Sequence, residues 1–104
     1  MKLKLCNRAE LANGGAKKID IDGHPSIAVW NVEGRFYCTQ DTCSHGGASL
    51  VEEGYLLDET VECSWHAGTF DVRTGEATGA PCTEALKTYK IQIEGDEVFA
   101  VIED

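Results

Sequence analysis

The sequence predicts an all-β fold, a small antiparallel barrel or sandwich, and three observations carry that expectation. Turn-forming punctuation recurs at short intervals: Gly14-Gly15, Asp22-Gly23, Glu33-Gly34, Gly46-Gly47, Gly54, Thr74-Gly75, Gly79 to Pro81 and Gly95-Asp96. Such spacing leaves room for strands and tight turns and none for long helices. Between the breaks lie segments of period-two alternation or of β-branched and aromatic enrichment. At 104 residues the chain suffices for one domain, which at this size buries about 65% of its unfolded-chain surface, so 1–104 is read as a single unit.

The elements follow in order. A strand is expected at Lys2 to Leu5. Asn7 then caps one short helical turn through Arg8-Ala9-Glu10-Leu11, ended by Asn13-Gly14. Further strands are expected at Lys17 to Ile21, Ser26 to Val32, Arg35 to Thr39, Tyr55 to Leu57, Thr60 to Cys63, Thr69 to Val72, Leu86 to Ile93 and Glu97 to Ile102. In the eighth of these strands, Tyr89, Ile91 and Ile93 share one face and Lys90 and Gln92 the other, the pattern of a sheet with one wet side. The glycine-rich excursion between Thr39 and Ala67 is the place for function.

Composition removes several classes of activity. Nine basic residues stand against eighteen acidic ones, for a net charge of -9. Binding to phosphate backbones needs clustered Lys and Arg, so nucleic acid and anionic membranes are not expected partners. No apolar run approaches the ~20 residues of a spanning helix, and Met1-Lys2-Leu3-Lys4-Leu5-Cys6 leads into Asn7-Arg8 instead of a signal-peptide stretch. A cytoplasmic protein is expected. Five cysteines, an odd number, fit thiolate ligands plus spectator thiols better than a disulfide scaffold.

Two clusters in the excursion combine soft and imidazole donors: Cys43-Ser44-His45-Gly46-Gly47 and Cys63-Ser64-Trp65-His66-Ala67-Gly68. One is Cys-x-His and the other Cys-x-x-His, with seventeen residues between His45 and Cys63, enough for a hairpin that returns the second loop beside the first. Gly46, Gly47 and Gly68 allow the backbone to approach an inorganic centre and aim N–H groups at it. A Cys₂His₂ set suits two kinds of centre. Structural zinc sites usually pair Cys with Cys and His with His on separate elements. In a Rieske [2Fe-2S] centre two cysteines hold one iron and two histidines the other, so mixed loops each serve both irons.

Cys43-x-His45 and Cys63-x-x-His66 resemble the Rieske motif, and the resemblance continues through Gly68-Thr69-Phe70-Asp71, Thr74-Gly75, Gly79-Ala80-Pro81 and Lys87-Thr88-Tyr89. It is close over the C-terminal two-thirds of the chain, and the N-terminal strands are compatible with it. More narrowly, the chain is similar to the small Rieske ferredoxins of bacterial multicomponent aromatic-ring-hydroxylating dioxygenases. The resemblance implies an all-β Rieske-type barrel or sandwich with a cluster-binding subdomain at one tip, about residues 40–82. It also implies one [2Fe-2S] cluster held by Cys43, His45, Cys63 and His66, and a shuttle role between a flavin-containing, NAD(P)H-linked ferredoxin reductase and a terminal Rieske oxygenase.

Within the family, high-potential members carry an extra cysteine in each loop, forming a brace; the matching positions here are Ala48 and Trp65. Those members also place Ser and Tyr hydroxyls where this chain has Gly68 and Phe70. Hydroxyl donors stabilise the reduced cluster. Without them, and with a negatively charged surface opposing reduction, the low end of the Rieske range of about -150 to +300 mV is expected.

The chain has neither a Gly-x-Gly-x-x-Gly turn nor a Gly-x-x-x-x-Gly-Lys-Ser/Thr loop, and the ligand set leaves no open coordination position. One-electron carriage by a soluble monomer, with no catalytic residue of its own, is therefore expected. Two rivals stand beside it: a zinc-stabilised interaction module on the same four residues, and a Rieske-type small subunit of a larger reductase of the nitrite reductase kind. Elsewhere, His24 is expected in a solvated turn, Cys6 and Cys38 as buried small hydrophobes, and Cys82 as a spectator in the loop that the resemblance places over the cluster. Trp30 is expected in the core, Trp65 as a lid or simple packing with a docking anchor as the alternative, and Glu52-Glu53 and Asp58-Glu59 at solvated hairpin ends with docking contacts as the alternative.

Overall fold

A computed structural model describes residues 1–43, 48–63, 68–79 and 84–102. Ten strands are seen among these residues: β1 (Lys2–Asn7), β2 (Ala16–Ile21), β3 (His24–Val32), β4 (Arg35–Gln40), β5 (Gly54–Leu57), β6 (Thr60–Cys63), β7 (Thr69–Asp71), β8 (Ala77–Gly79), β9 (Thr88–Glu94) and β10 (Glu97–Val101). A 3-10 turn (Arg8–Glu10) follows β1, and one short helix, α1 (Leu50–Glu53), precedes β5. The strands form an antiparallel six-stranded sheet, ordered β1-β10-β9-β4-β3-β2, and a smaller four-stranded sheet, β5-β6-β7-β8. The expected all-β architecture is therefore present, with the excursion after β4 folded as the second sheet.

Two apolar cores result. The first gathers Leu5, Cys6, Ile27, Val29, Phe36, Cys38, Tyr89, Val98, Ala100 and Ile102 inside the large sheet. The second gathers Ala28, Trp30, Cys43, Ala48, Leu50, Val61, Cys63, Phe70, Val72 and Leu86 between the sheets. Strand β3 serves both. Side chains alternate across a strand, so Ile27 and Val29 enter the first core while Ala28 and Trp30 enter the second. Trp30 is buried as expected, and its indole N–H donates to Thr39 Oγ1 at 3.0 Å.

Some expectations fail for identifiable reasons. β3 starts at His24, which pairs with Ile21, so this histidine sits on a strand, half-buried, with its ring 5.9 Å from that of Tyr89. Pro25 is accommodated near the strand's start, where the register of β2 and β3 shifts. β9 starts at Thr88, not at Leu86: the Leu86 N–H donates to Gly75 O at 2.7 Å, and the side chain fills the second core. The short strand β8 and helix α1 were not expected. The turn after β1 is present but shorter than expected, ending at Leu11 and not at Asn13-Gly14, with the Asn7 N–H donating to Glu10 Oε1 at 2.9 Å.

The Thr74-Gly75 turn ties the two sheets. Gly75 has φ +80°, the left-handed region, and a Cβ there would run into the carbonyl oxygen of Leu86. Gly75→Ala therefore combines backbone strain with a clash. It should cost roughly 2 kcal/mol or more and lower the melting temperature by about 10 °C, read by thermal circular dichroism; an unchanged melting temperature contradicts this. The second prediction concerns Cys38, whose thiol burial pushes up to about 12. At pH 8 about one molecule in ten thousand would carry the reactive thiolate, so iodoacetamide should label Cys38 only after denaturation. Mass spectrometry checks this, and native labelling at the denatured rate contradicts it.

Candidate metal centre

Each ligand loop begins at a buried cysteine and closes in the same way. In the first, β4 runs on through Asp41 and Thr42 to Cys43, a single bridge pairs Thr42 with Ser49, and the Cys43 N–H donates to Ala48 O at 2.8 Å. In the second, β6 ends at Cys63, and the Cys63 N–H donates to Gly68 O at 2.8 Å before β7 begins. Both bonds reach from the cysteine to the residue five positions on. Cys43 and Cys63 are 2% and 1% exposed, and both face the second core.

The elements that carry the loops are pressed together at Gly54. This residue ends α1 and pairs with Cys63 across β5 and β6. A Cβ at this position would lie 2.6 Å from Leu50 O and 2.7 Å from Glu62 O, so only glycine lets the helix that follows the first loop abut the strand that enters the second. Ser49 caps α1 by accepting from the Glu52 N–H at 3.2 Å.

His45 and His66 lie outside the described residues, as do Trp65 and Cys82 and the expectations placed on them. Among the described residues no group of three or more His, Cys, Asp and Glu side chains comes together. Cys43 and Cys63 are thus the described half of the candidate set, and the structure brings both into one core. Two buried thiols on loops closed by main-chain bonds form a donor pair suited to a soft metal centre. The other described cysteines stand apart: Cys6 and Cys38 belong to the first core, buried as expected, and burial pushes the Cys6 thiol up as well.

Three described positions near the cysteines carry no side-chain hydroxyl. Phe70 is buried in the second core, Ala48 is buried beside Cys43, and Gly68 has no side chain. Of the two carboxylate pairs near the loops, one departs from expectation and one agrees with it. Glu52 and Glu53 lie on α1, not at a hairpin end, and Glu52 pairs with Lys18 of β2 at 2.9 Å. Asp58 and Glu59 do form the β5–β6 turn, and Arg73 reaches Glu59 at 3.9 Å while gripping Asp71. The Arg73 hydrogen bond holds the Asp71 carboxyl below its usual range. Tyr55 and Leu57 project from β5 on the outer face of the small sheet, 71% and 75% exposed.

Sequence reasoning missed Asp41, a charged residue buried two positions before Cys43, and with it α1. A signal was present. Ser49-Leu50-Val51-Glu52 has the Ser-x-x-Glu form of a capping box, which marks a helix start even when the helix is a single turn.

Residues 1–90 match the Rieske [2Fe-2S] domain family. The ferredoxin component of the p-cumate 2,3-dioxygenase system of Pseudomonas putida is 41% identical over 95 residues, covering 91% of this chain and 80% of that protein. The biphenyl dioxygenase ferredoxin subunit of Pseudomonas sp. (strain KKS102) is 46% identical over 96 residues, covering 92% and 87%. Among solved structures, a chain from the complex of reduced oxygenase and oxidized ferredoxin in carbazole 1,9a-dioxygenase superposes with a TM-score of 0.92 at 36% identity, covering 95% of this chain and 91% of that one. With the fold, the paired cysteine loops and the full-length relatives in agreement, the chain belongs to the Rieske [2Fe-2S] domain family, whose members hold one [2Fe-2S] cluster.

Proposed function

We propose that the protein is the ferredoxin of an aromatic-ring-hydroxylating dioxygenase system, a soluble cytoplasmic monomer that carries single electrons from an NAD(P)H-linked flavin reductase to a terminal oxygenase. The observation that carries this reading is the pairing of Cys43 and Cys63 on two like-closed loops in one apolar core. It is joined to relatives whose names place them as ferredoxin components of dioxygenase systems. A relative of the same fold has been captured with its oxygenase, which supports the same partner class here. No helix of the described residues is long and apolar enough to cross a membrane.

In this reading Cys43 and Cys63 hold one iron and His45 and His66 the other, within a cluster-binding subdomain at about 40–82. A bound [2Fe-2S] cluster supplies reversible one-electron chemistry. The chain's own contribution is placement and tuning. The apolar walls of Trp30, Phe70 and Leu50 keep water from the thiolate side. Phe70 and Gly68 offer no side-chain hydroxyl there, so the reduced state lacks that stabilisation and the potential sits at the low end of the Rieske range. His45 and His66 would stand at the electron entry and exit.

The net charge of -9 steers encounter with basic partner surfaces. Five of the nine basic residues (Lys2, Lys4, Lys17, Lys18 and Arg73) are already spent on ion pairs with carboxylates of this chain, so little positive charge opposes that field.

Two outcomes follow. Cys43→Ser, His45→Ala, Cys63→Ser and His66→Ala should each abolish the normal cluster, while Cys6→Ser retains it. Visible absorption together with iron and sulfide analysis reads this, and a full cluster in any of the four removes that ligand. Second, the rate of electron delivery from reductase through this protein to oxygenase, followed by stopped-flow, should fall at least about tenfold between 20 and 500 mM salt, because screening shortens the reach of the field. A salt-independent rate contradicts the steering.

A further inference from the structure

The two ligand loops close alike but are braced differently, and the difference centres on Asp41. The second loop stands on a strand ladder, with Thr60, Val61 and Glu62 of β6 paired to Asp71, Phe70 and Thr69 of β7. Among the described residues the first loop has no such ladder, and the isolated bridge between Thr42 and Ser49 stands in its place. Beside that bridge, Asp41 makes three links. Its N–H donates to Ser26 O of β3 at 3.0 Å, its carbonyl oxygen accepts from the Leu50 N–H at 2.8 Å, and its carboxylate Oδ1 accepts from the Val51 N–H at 3.0 Å. Asp41 is 1% exposed and, among the described residues, makes no direct ion pair: Lys18, the cation within its electrostatic reach, is bonded to Glu52. Burying a carboxylate is costly unless its hydrogen bonds offset the cost, so a group kept here with main-chain hydrogen bonds and no direct ion pair points to a positional role. At the matching offset before Cys63 stands Val61, an apolar residue that the ladder makes sufficient.

We propose that Asp41 is a positioning residue for the first ligand loop: it clamps the segment on both sides of residues 43–48, to β3 and to α1, and so replaces the strand ladder that the second loop possesses. The inference rests on Cys43 and His45 being ligands. What the clamp requires of the side chain is an acceptor oxygen at Oδ1. Asn retains that oxygen. Ala removes it and leaves the Val51 N–H without its partner, which a buried donor tolerates poorly.

The test compares the cluster-loaded wild type with Asp41→Asn and Asp41→Ala. Two readouts are taken: the rate of cluster loss to a chelator, and amide hydrogen exchange at Val51 against Glu62 and Thr69. Asp41→Ala should speed both cluster loss and Val51 exchange by about tenfold, with the β6–β7 amides at their wild-type rates. Asp41→Asn should restore both. Wild-type cluster lifetime in Asp41→Ala overturns the clamp, as does equal acceleration in both loops or an Asn variant as poor as Ala. If Asp41→Ala does not fold, Asp41→Ser, whose oxygen is too short to reach, takes its place with the same expectations. A wild type that binds no cluster removes the ligand reading instead, and the exchange pattern of the metal-free chains then tests the clamp alone.

Discussion

The structure depends on a single strand buried on both faces. From Ile27 to Asn31 every residue of β3 is buried, and alternation sends neighbouring side chains into opposite cores. One set closes the large sheet; the other, through Ala28 and Trp30, forms the floor on which Cys43 and Cys63 rest. Truncating a buried tryptophan costs about 3–5 kcal/mol, and in Trp30 that cost would fall on the wall shared by fold and site. The Trp30 N–H bond to Thr39 on β4 fixes the floor to the strand that leads into the first loop. Stability of the large sheet and placement of the thiol pair are therefore one problem, solved by the same residues.

From that floor the site is built by two devices. Loops of equal closure present the cysteines, and Gly54 removes the side chain that would hold their carriers apart. If Cys and His of both loops hold one rigid inorganic unit, as proposed, both arms must be placed to within its tolerance. Backbone hydrogen bonds meet that need on the ladder side. On the other side the chain spends a buried carboxylate. The two described cysteines are thus presented alike and supported differently.

Much of this was legible in the residues. Punctuation by glycine and period-two alternation located nine of the strands, because each hairpin turn needs a particular local chemistry that shows in the sequence. The Rieske family was legible because the Cys-x-His and Cys-x-x-His spacings form a pattern specific to it. What escaped notice depends on contacts distant along the chain. His24 sits on β3 because of the register with Ile21, and Leu86 leaves β9 because Gly75, eleven positions earlier, takes its N–H. Strand β8 is three residues long, too short for a period to register, and its Gly79 marks a close approach to Thr69 instead of a turn. In the sequence Asp41 is one of eighteen acidic residues, and only burial distinguishes it.

In the proposed centre one buried thiol pair and one imidazole pair share a [2Fe-2S] cluster. Hyperfine spectroscopy of the reduced protein, prepared with ¹⁵N-labelled histidine, tests it most directly, since nitrogen nuclei couple strongly to the unpaired spin only when bound to the iron. The expected result is a paramagnetic signal with two strongly coupled histidine nitrogens, lost when either His45 or His66 is replaced. A paramagnetic signal with no coupled histidine nitrogen, or a metal-loaded protein with no signal on reduction, would contradict it.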